Sequence, residues 1–246
     1  MEAMLKDKIA LITGASRGIG KGIALKFAQQ GATILLVGRK MPGLEAAAEE
    51  IRALGGKADC FTADVAKEDD VTHLVDQVMA KYGRVDILVN NAGISKEMPL
   101  MEMPVSVFDE IMTTNMRSVM LVTKAILPHM VEQKGGSIIN IGSGAALRGL
   151  PGSVAYSASK AAVVCFTQAL GDEVRKVERN IRINAICPGP VDTELFQKSE
   201  RRDFILAAGG DVFSTETMGD AALFLASDMS KGMNSQVLVL RGFNRW

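Results

Sequence analysis

Residues 8–30 read KIALITGASRGIGKGIALKFAQQ, and this stretch decides the fold. Its first six residues are an apolar, β-branched run that predicts a strand, while residues 19–30 carry the period of an amphipathic helix. Gly14, Gly18 and Gly20 stand at the junction. Glycines there permit positive φ, let main-chain amides approach a phosphate and allow close helix–strand packing. The positive end of the helix dipole then faces a pyrophosphate. A Walker-type loop fits poorly, because Gly20-Lys21 is followed by Gly22 where a magnesium-binding Ser or Thr belongs. A glycine turn alone is compatible with a purely structural role. Its strand–turn–helix setting is what points to a dinucleotide.

Working outward, the same alternation repeats to the end of the chain. Apolar runs occur at 8–13, 32–37, 58–63, 85–90, 137–142, 181–186 and 236–240, and amphipathic stretches at 19–30, 43–54, 68–82, 105–132, 155–178 and 217–227. The runs are nearly continuous rather than strictly alternating, as in strands covered on both faces of a parallel sheet. The pattern predicts a doubly wound α/β fold, a seven-stranded parallel sheet with helices on both faces and right-handed crossovers. With no repeat, low-complexity tract or Pro/Ser linker, residues 1–246 are read as one dinucleotide-binding catalytic domain. Residues 193–216 break the pattern after a Pro-Gly-Pro corner; they read as a mobile cap over a pocket, with an ordinary surface excursion as the alternative.

Composition narrows the function classes. The 28 basic and 28 acidic side chains balance, which gives no electrostatic reason to expect nucleic acid or an anionic membrane as partner. No run approaches the ~18 apolar residues of a membrane span, and the first residues lack a signal-peptide core. The three cysteines, Cys60, Cys165 and Cys187, form no CxxC pair, which fits a reducing, cytoplasmic compartment. Cys165 and Cys187 are read as packing residues. His73 and His129 have no ligand-spaced partners, so no metal is expected.

Two further motifs carry chemistry. A nicotinamide dinucleotide fold of Rossmann type that takes NAD places a carboxylate after its second strand, for the ribose 2′-hydroxyl. This chain has Arg39 there, with Lys40 beside it and Arg17 in the glycine turn. Cations at that point pair with a 2′-phosphate, so the expected cofactor is NADP(H). Tyr156 and Lys160 stand at i and i+4, on one helix face. A phenol with an ordinary pKa near ~10 is a poor base at neutral pH, and an adjacent cation lowers it. Such a pair can exchange a proton with a carbinol or carbonyl oxygen.

TGASRGIG (13–20), NNAG (90–93), Asn115, Ser143 thirteen residues before Tyr156, YSASK (156–160) and PGPVDT (188–193) follow one another in that order. In this the chain resembles the short-chain dehydrogenase/reductase family along nearly its whole length, and within it most closely the 3-oxoacyl-(acyl-carrier-protein) reductases. The resemblance implies that Tyr156 is the catalytic acid/base and that Lys160 holds the nicotinamide ribose and lowers the tyrosine pKa. It implies that Ser143 orients the substrate carbonyl and that Asn115 holds a water linking Lys160 to solvent. The cofactor would lie on Gly14, Ser16, Arg17, Gly18, Ile19, Gly20 and Arg39, with Asp64 and Val65 beside the adenine and Asn91, Ala92 and Gly93 below it. Pro188, Gly189, Val191 and Thr193 would cradle the nicotinamide end, together with Tyr156 and Lys160. No metal is implied.

The resemblance also implies a homotetramer or homodimer built on the helices at 105–132 and 155–178. The second of these is apolar on more than one side, from Ala161 to Phe166, and Met112, Met116 and Met120 form a stripe on the first. The chain departs from the family in its tail, which reads Leu240-Arg241-Gly242-Phe243-Asn244-Arg245-Trp246, and one alternative lays Phe243 and Trp246 over a neighbouring subunit's pocket. The favoured substrate is a 3-oxoacyl thioester, with Lys134 and Arg179 as cations able to receive an acidic carrier. A cyclic, sugar or steroid alcohol is the alternative, since Leu147, Leu150, Leu195 and Phe196 promise only an apolar lining. A non-catalytic dinucleotide-binding scaffold is the reading from another class.

Overall fold

The computed structural model describes residues 3–199 and 201–242. Seven strands, β1 (Ile9–Thr13), β2 (Thr33–Gly38), β3 (Lys57–Thr62), β4 (Ile87–Asn90), β5 (Gly136–Ile141), β6 (Ile181–Pro188) and β7 (Val237–Leu240), form one sheet in the order 3-2-1-4-5-6-7. Every neighbouring pair is parallel, with Leu11 of β1 opposite both Leu35 and Leu88.

The apolar runs are continuous because each strand feeds two cores. Ala10, Ile12, Ile34, Leu36, Val89 and Ile139 point to one face, where α1 (Gly18–Gln29), α2 (Met41–Ala53) and α9 (Thr215–Ala226) cover them with Phe27, Leu44, Ile51 and Met218. Leu11, Leu35, Val37, Leu88 and Ile138 point to the other, against Leu74 and Val78 of α3 (Glu68–Tyr82) and Val122 and Ile126 of α5 (Ser118–Glu132). With side chains alternating every residue, a strand covered on both faces is apolar at most positions.

Chain order places the site. Strands are added outward from β1 to β3, and the chain then returns to lay β4 on the other side of β1. Ligands of open α/β sheets bind in the crevice that such a reversal opens at the carboxyl ends of the strands. Here that crevice lies between the turn after β1 and the turn after β4.

Two expectations need correction. The single helix expected over 105–132 is α4 (Val105–Met112), a π-helical turn (Thr113–Arg117) and α5. The Ser118 amide donates to Thr113 O, five residues back, and the extra residue turns Asn115 into the interior. Cys165, expected to pack internally, is exposed on α6 (Val154–Val174), whereas Cys187 is buried. The 193–216 segment folds as two short helices, α7 (Glu194–Gln197) and α8 (Arg202–Ala207). Its ends are clasped by Asp192 N donating to Phe213 O and Phe213 N to Pro190 O, both at 2.8 Å. Phe243 and Trp246 lie outside the described residues. Among the described residues no helix is long and apolar enough to cross a membrane, and no group of three or more His, Cys, Asp or Glu side chains is placed to hold a metal.

Candidate active site

The crevice is built by the turn after β1 meeting the turn after β4. Gly14 adopts φ +64°, and a Cβ there would stand 2.9 Å from Ala92 Cα. A Cβ on Gly20 would stand 2.5 Å from both Asn91 Nδ2 and Gly14 O. Thr13, the last residue of β1, ties the two turns: its hydroxyl accepts from the amides of Asn91 at 3.0 Å and Ala92 at 3.1 Å. Asn91 returns its own amide to Thr13 O at 2.9 Å and Gly14 O at 3.1 Å. Thr13 was not singled out as a site residue in the sequence, because a threonine ending a strand looks like any β-branched core residue.

The glycine turn fits a dinucleotide phosphate. Helix α1 starts with no side-chain cap and no acidic residue in its first turn, so no carboxylate or hydroxyl occupies its first amides. At the far end of the crevice, Thr193 sets its methyl against Gly18, 3.3 Å from where a Cβ would be, and its hydroxyl caps α7 by accepting from Phe196 N. Gly189 N donates to Leu240 O at 2.7 Å, so β7 holds the Pro188-Gly189 corner. Val191 is buried beside Phe213. Along the rim, Asp64 is half-buried and Val65 buried in the turn after β3, Ser16 Cβ stands 3.3 Å from where a Cβ on Gly43 would be, and Arg39 and Lys40 are exposed after β2. Arg17 does not face them; its guanidinium pairs with Glu194.

Beyond Gly93 lies a cluster of titratable and hydrogen-bonding side chains. A Cβ on Gly93 would meet Asn115 Oδ1 at 3.2 Å and Lys160 Nζ at 3.5 Å, so the main chain passes directly over both. Lys160, only 4% exposed, donates to Ile141 O at 2.7 Å and lies 5.9 Å from the Tyr156 ring centre. Burial with no carboxylate partner pushes its pKa down from 10.5 to about 8. Tyr156 is half-buried, and removal from water raises its phenol pKa above the ordinary 10. The opposing pull comes from the neighbouring Ser143 hydroxyl. In this geometry Lys160, 5.9 Å from the ring centre, does not offset the desolvation of the phenol, and Ser143 is the group that tempers it.

Asn115 is fixed on every side. Its Nδ2 donates to Ile94 O at 2.9 Å and Ser159 Oγ at 3.0 Å, and its Oδ1 accepts from Ile94 N at 2.8 Å. Ser159 in turn donates to Tyr156 O at 2.7 Å, which joins the π-helical turn to the helix carrying Tyr156 and Lys160. Both amide hydrogens are spent, so only oxygens of Asn115 are left to hold a water. Beneath the cluster lies the Cys187 thiol, a neutral group whose pKa burial pushes up. All four candidate catalytic residues are thus brought together. Thr13, Ser159 and Glu194 were missed, since their partners lie far away in sequence.

The sequence and the fold are matched in known proteins. Residues 8–203 match the family model described as short chain dehydrogenase. The chain is 37% identical over 242 residues to the 3-oxoacyl-(acyl-carrier-protein) reductase FabG of Thermotoga maritima, covering 97% of this chain and 98% of that one. A crystal structure of a short-chain type dehydrogenase/reductase from Mycobacterium marinum superposes with a TM-score of 0.90 at 35% identity, over 98% of this chain and 96% of that one. A 3-oxoacyl (acyl-carrier-protein) reductase from Agrobacterium tumefaciens C58, solved with NADP bound, gives 0.88 at 31% identity, over 98% and 95%.

Proposed function

Because the chain belongs to the short-chain dehydrogenase family and is an oxidoreductase on that ground, we propose that it interconverts a ketone and a secondary alcohol with NADP(H), its favoured substrate being a 3-oxoacyl thioester. The observation that carries this reading is the junction of Tyr156, Lys160 and Asn115 with the switch-point crevice, where the main chain at Gly93 passes over Lys160 and Asn115. The bound nicotinamide supplies the hydride. Tyr156 gives its proton to the carbonyl oxygen as negative charge develops there, a role that a neutral phenol serves at pH 7. Ser143 donates a hydrogen bond to the same oxygen and fixes its position. Lys160 holds the nicotinamide ribose and, titrating near 8, exchanges protons at neutral pH, with Asn115 holding the water that links it to solvent. Gly14, Ser16, Arg17, Gly18, Ile19, Gly20, Asn91, Ala92 and Gly93 bind the dinucleotide; Asp64 and Val65 flank its adenine and Pro188, Gly189, Val191 and Thr193 its nicotinamide.

Arg39, Lys40 and Arg17 support NADP(H), since no carboxylate stands after β2 to take a free 2′-hydroxyl. The thioester is supported by the relatives of that name and by exposed Leu147 and, on α7, exposed Leu195 beside the crevice. We place α4–α5 and α6 at the contact of a homotetramer or homodimer, because Val105 is 75% exposed and Val154, Phe108 and Cys165 are also bared on these helices. The compartment is read as cytoplasmic, with all three cysteines free thiols. The test is consumption of NADPH and NADH in parallel with a short 3-oxoacyl thioester and with cyclic ketones. Faster oxidation of NADPH on the thioester supports the whole assignment; turnover on cyclic ketones alone replaces the substrate.

A further inference from the structure

The ion pair between Arg17 and Glu194 spans 177 residues of sequence and joins the cofactor turn to the first residue of α7. The Arg17 side chain is 74% exposed, so solvent and the ion pair, not packing, set where its guanidinium lies. Glu194 is ionised throughout the neutral range, because the ammonium of Lys198 one helical turn later and the charge of Arg17 hold its carboxyl below the usual value. The carboxylate therefore has two cations, and losing Arg17 leaves it still paired with Lys198. Elsewhere the same segment is tied by Ser199, which donates to Glu97 at 2.7 Å, and by Arg201, which donates to Pro151 O.

We propose that Glu194 is an internal competitor for the cation required by the cofactor's 2′-phosphate. NADP(H) exchanges Arg17 from Glu194 to the phosphate and unties α7 from the glycine turn; NAD(H), with a neutral 2′-hydroxyl, leaves the tie in place. A phosphate of nearly two negative charges that accepts a bidentate guanidinium outbids a single carboxylate. The exchange lowers the cofactor preference below what three cations alone would give, and makes release of the cap respond to which dinucleotide is bound.

This rests on the NADP(H) reading, and one calorimetric series separates the two. Dissociation constants of 2′,5′-ADP and 5′-AMP are measured for the unaltered protein, Glu194→Gln, Arg17→Ala and the double variant. Both side chains are at the surface, so folding is not in question. Glu194→Gln is expected to tighten 2′,5′-ADP by about two- to five-fold, the range of one exposed ion pair, and to leave 5′-AMP unchanged. In the Arg17→Ala background the same substitution is expected to change nothing. A gain that persists without Arg17, an equal gain for both nucleotides, or no gain overturns the exchange. An unaltered protein that binds 2′,5′-ADP no tighter than 5′-AMP overturns the NADP(H) reading and the exchange with it.

Discussion

Lys160 is a charge kept in the interior at a cost to stability, and Lys160→Met exposes that cost. Its pKa falls from 10.5 to about 8, so at pH 7 the folded protein carries an ammonium that the unfolded chain solvates better. The displacement of about 2.5 units corresponds to about 3 kcal/mol. Methionine removes that cost and fills a similar volume, but leaves Ile141 O without its donor, a loss of about 1–2 kcal/mol. The variant is therefore expected to be about 1–2 kcal/mol more stable at pH 7 while losing its activity. The sign reverses the usual lysine case: a folded-state pKa below the unfolded one means the penalty is complete below pH 8 and disappears as pH rises toward 10.5. The stability gap between the two proteins should thus move in favour of the natural chain by about 2–3 kcal/mol between pH 7 and pH 10. Urea unfolding followed by circular dichroism at equal protein concentration measures it. A gap that stays constant over that range refutes the buried, charged Lys160.

Other consequences follow from single contacts. The steady-state reduction rate should fall as pH rises through about 8, where Lys160 loses its proton, and the fall should be absent from cofactor binding measured by fluorescence. Ser159→Ala removes one acceptor from Asn115 and the link to Tyr156 O; turnover should drop about ten-fold with KM little changed, a loss matching about 1.4 kcal/mol of transition-state stabilisation. Gly20→Ala drives a methyl to 2.5 Å from Asn91 Nδ2 and Gly14 O, so thermal unfolding should show a loss of about 2 kcal/mol or more and calorimetry no dinucleotide binding. Cys165→Glu should convert the assembly to monomers in light scattering, if α6 is the subunit contact, whereas an unchanged mass would move the contact elsewhere.

Much of this was legible in the sequence because it is periodic or local. The seven apolar runs match the seven strands within two residues at either end. A parallel strand buried on both faces announces itself by composition, and the glycine turn by spacing. What was not legible depends on distance. No local pattern marks the π-helical turn at 113–117, because it is held by Asn115 reaching Ile94 and Ser159. The exposure of Cys165 was missed because small apolar residues suit a core and an intersubunit face equally. The Tyr–Lys spacing gives proximity but says nothing of desolvation, which raises the Tyr156 phenol pKa in the fold. Arg17 was assigned to the cofactor by its place in the turn, and its partner Glu194 lies in a segment with no periodicity.

The central claim is that Tyr156 delivers the proton to the carbonyl oxygen during hydride transfer. Single-turnover loss of reduced-nicotinamide absorbance, with enzyme in excess over a 3-oxoacyl thioester, tests it in Tyr156→Phe, which keeps the ring and removes only the hydroxyl. The account predicts a rate about 10²- to 10⁴-fold lower, with NADPH binding unchanged. A variant that transfers hydride at the natural rate would contradict it.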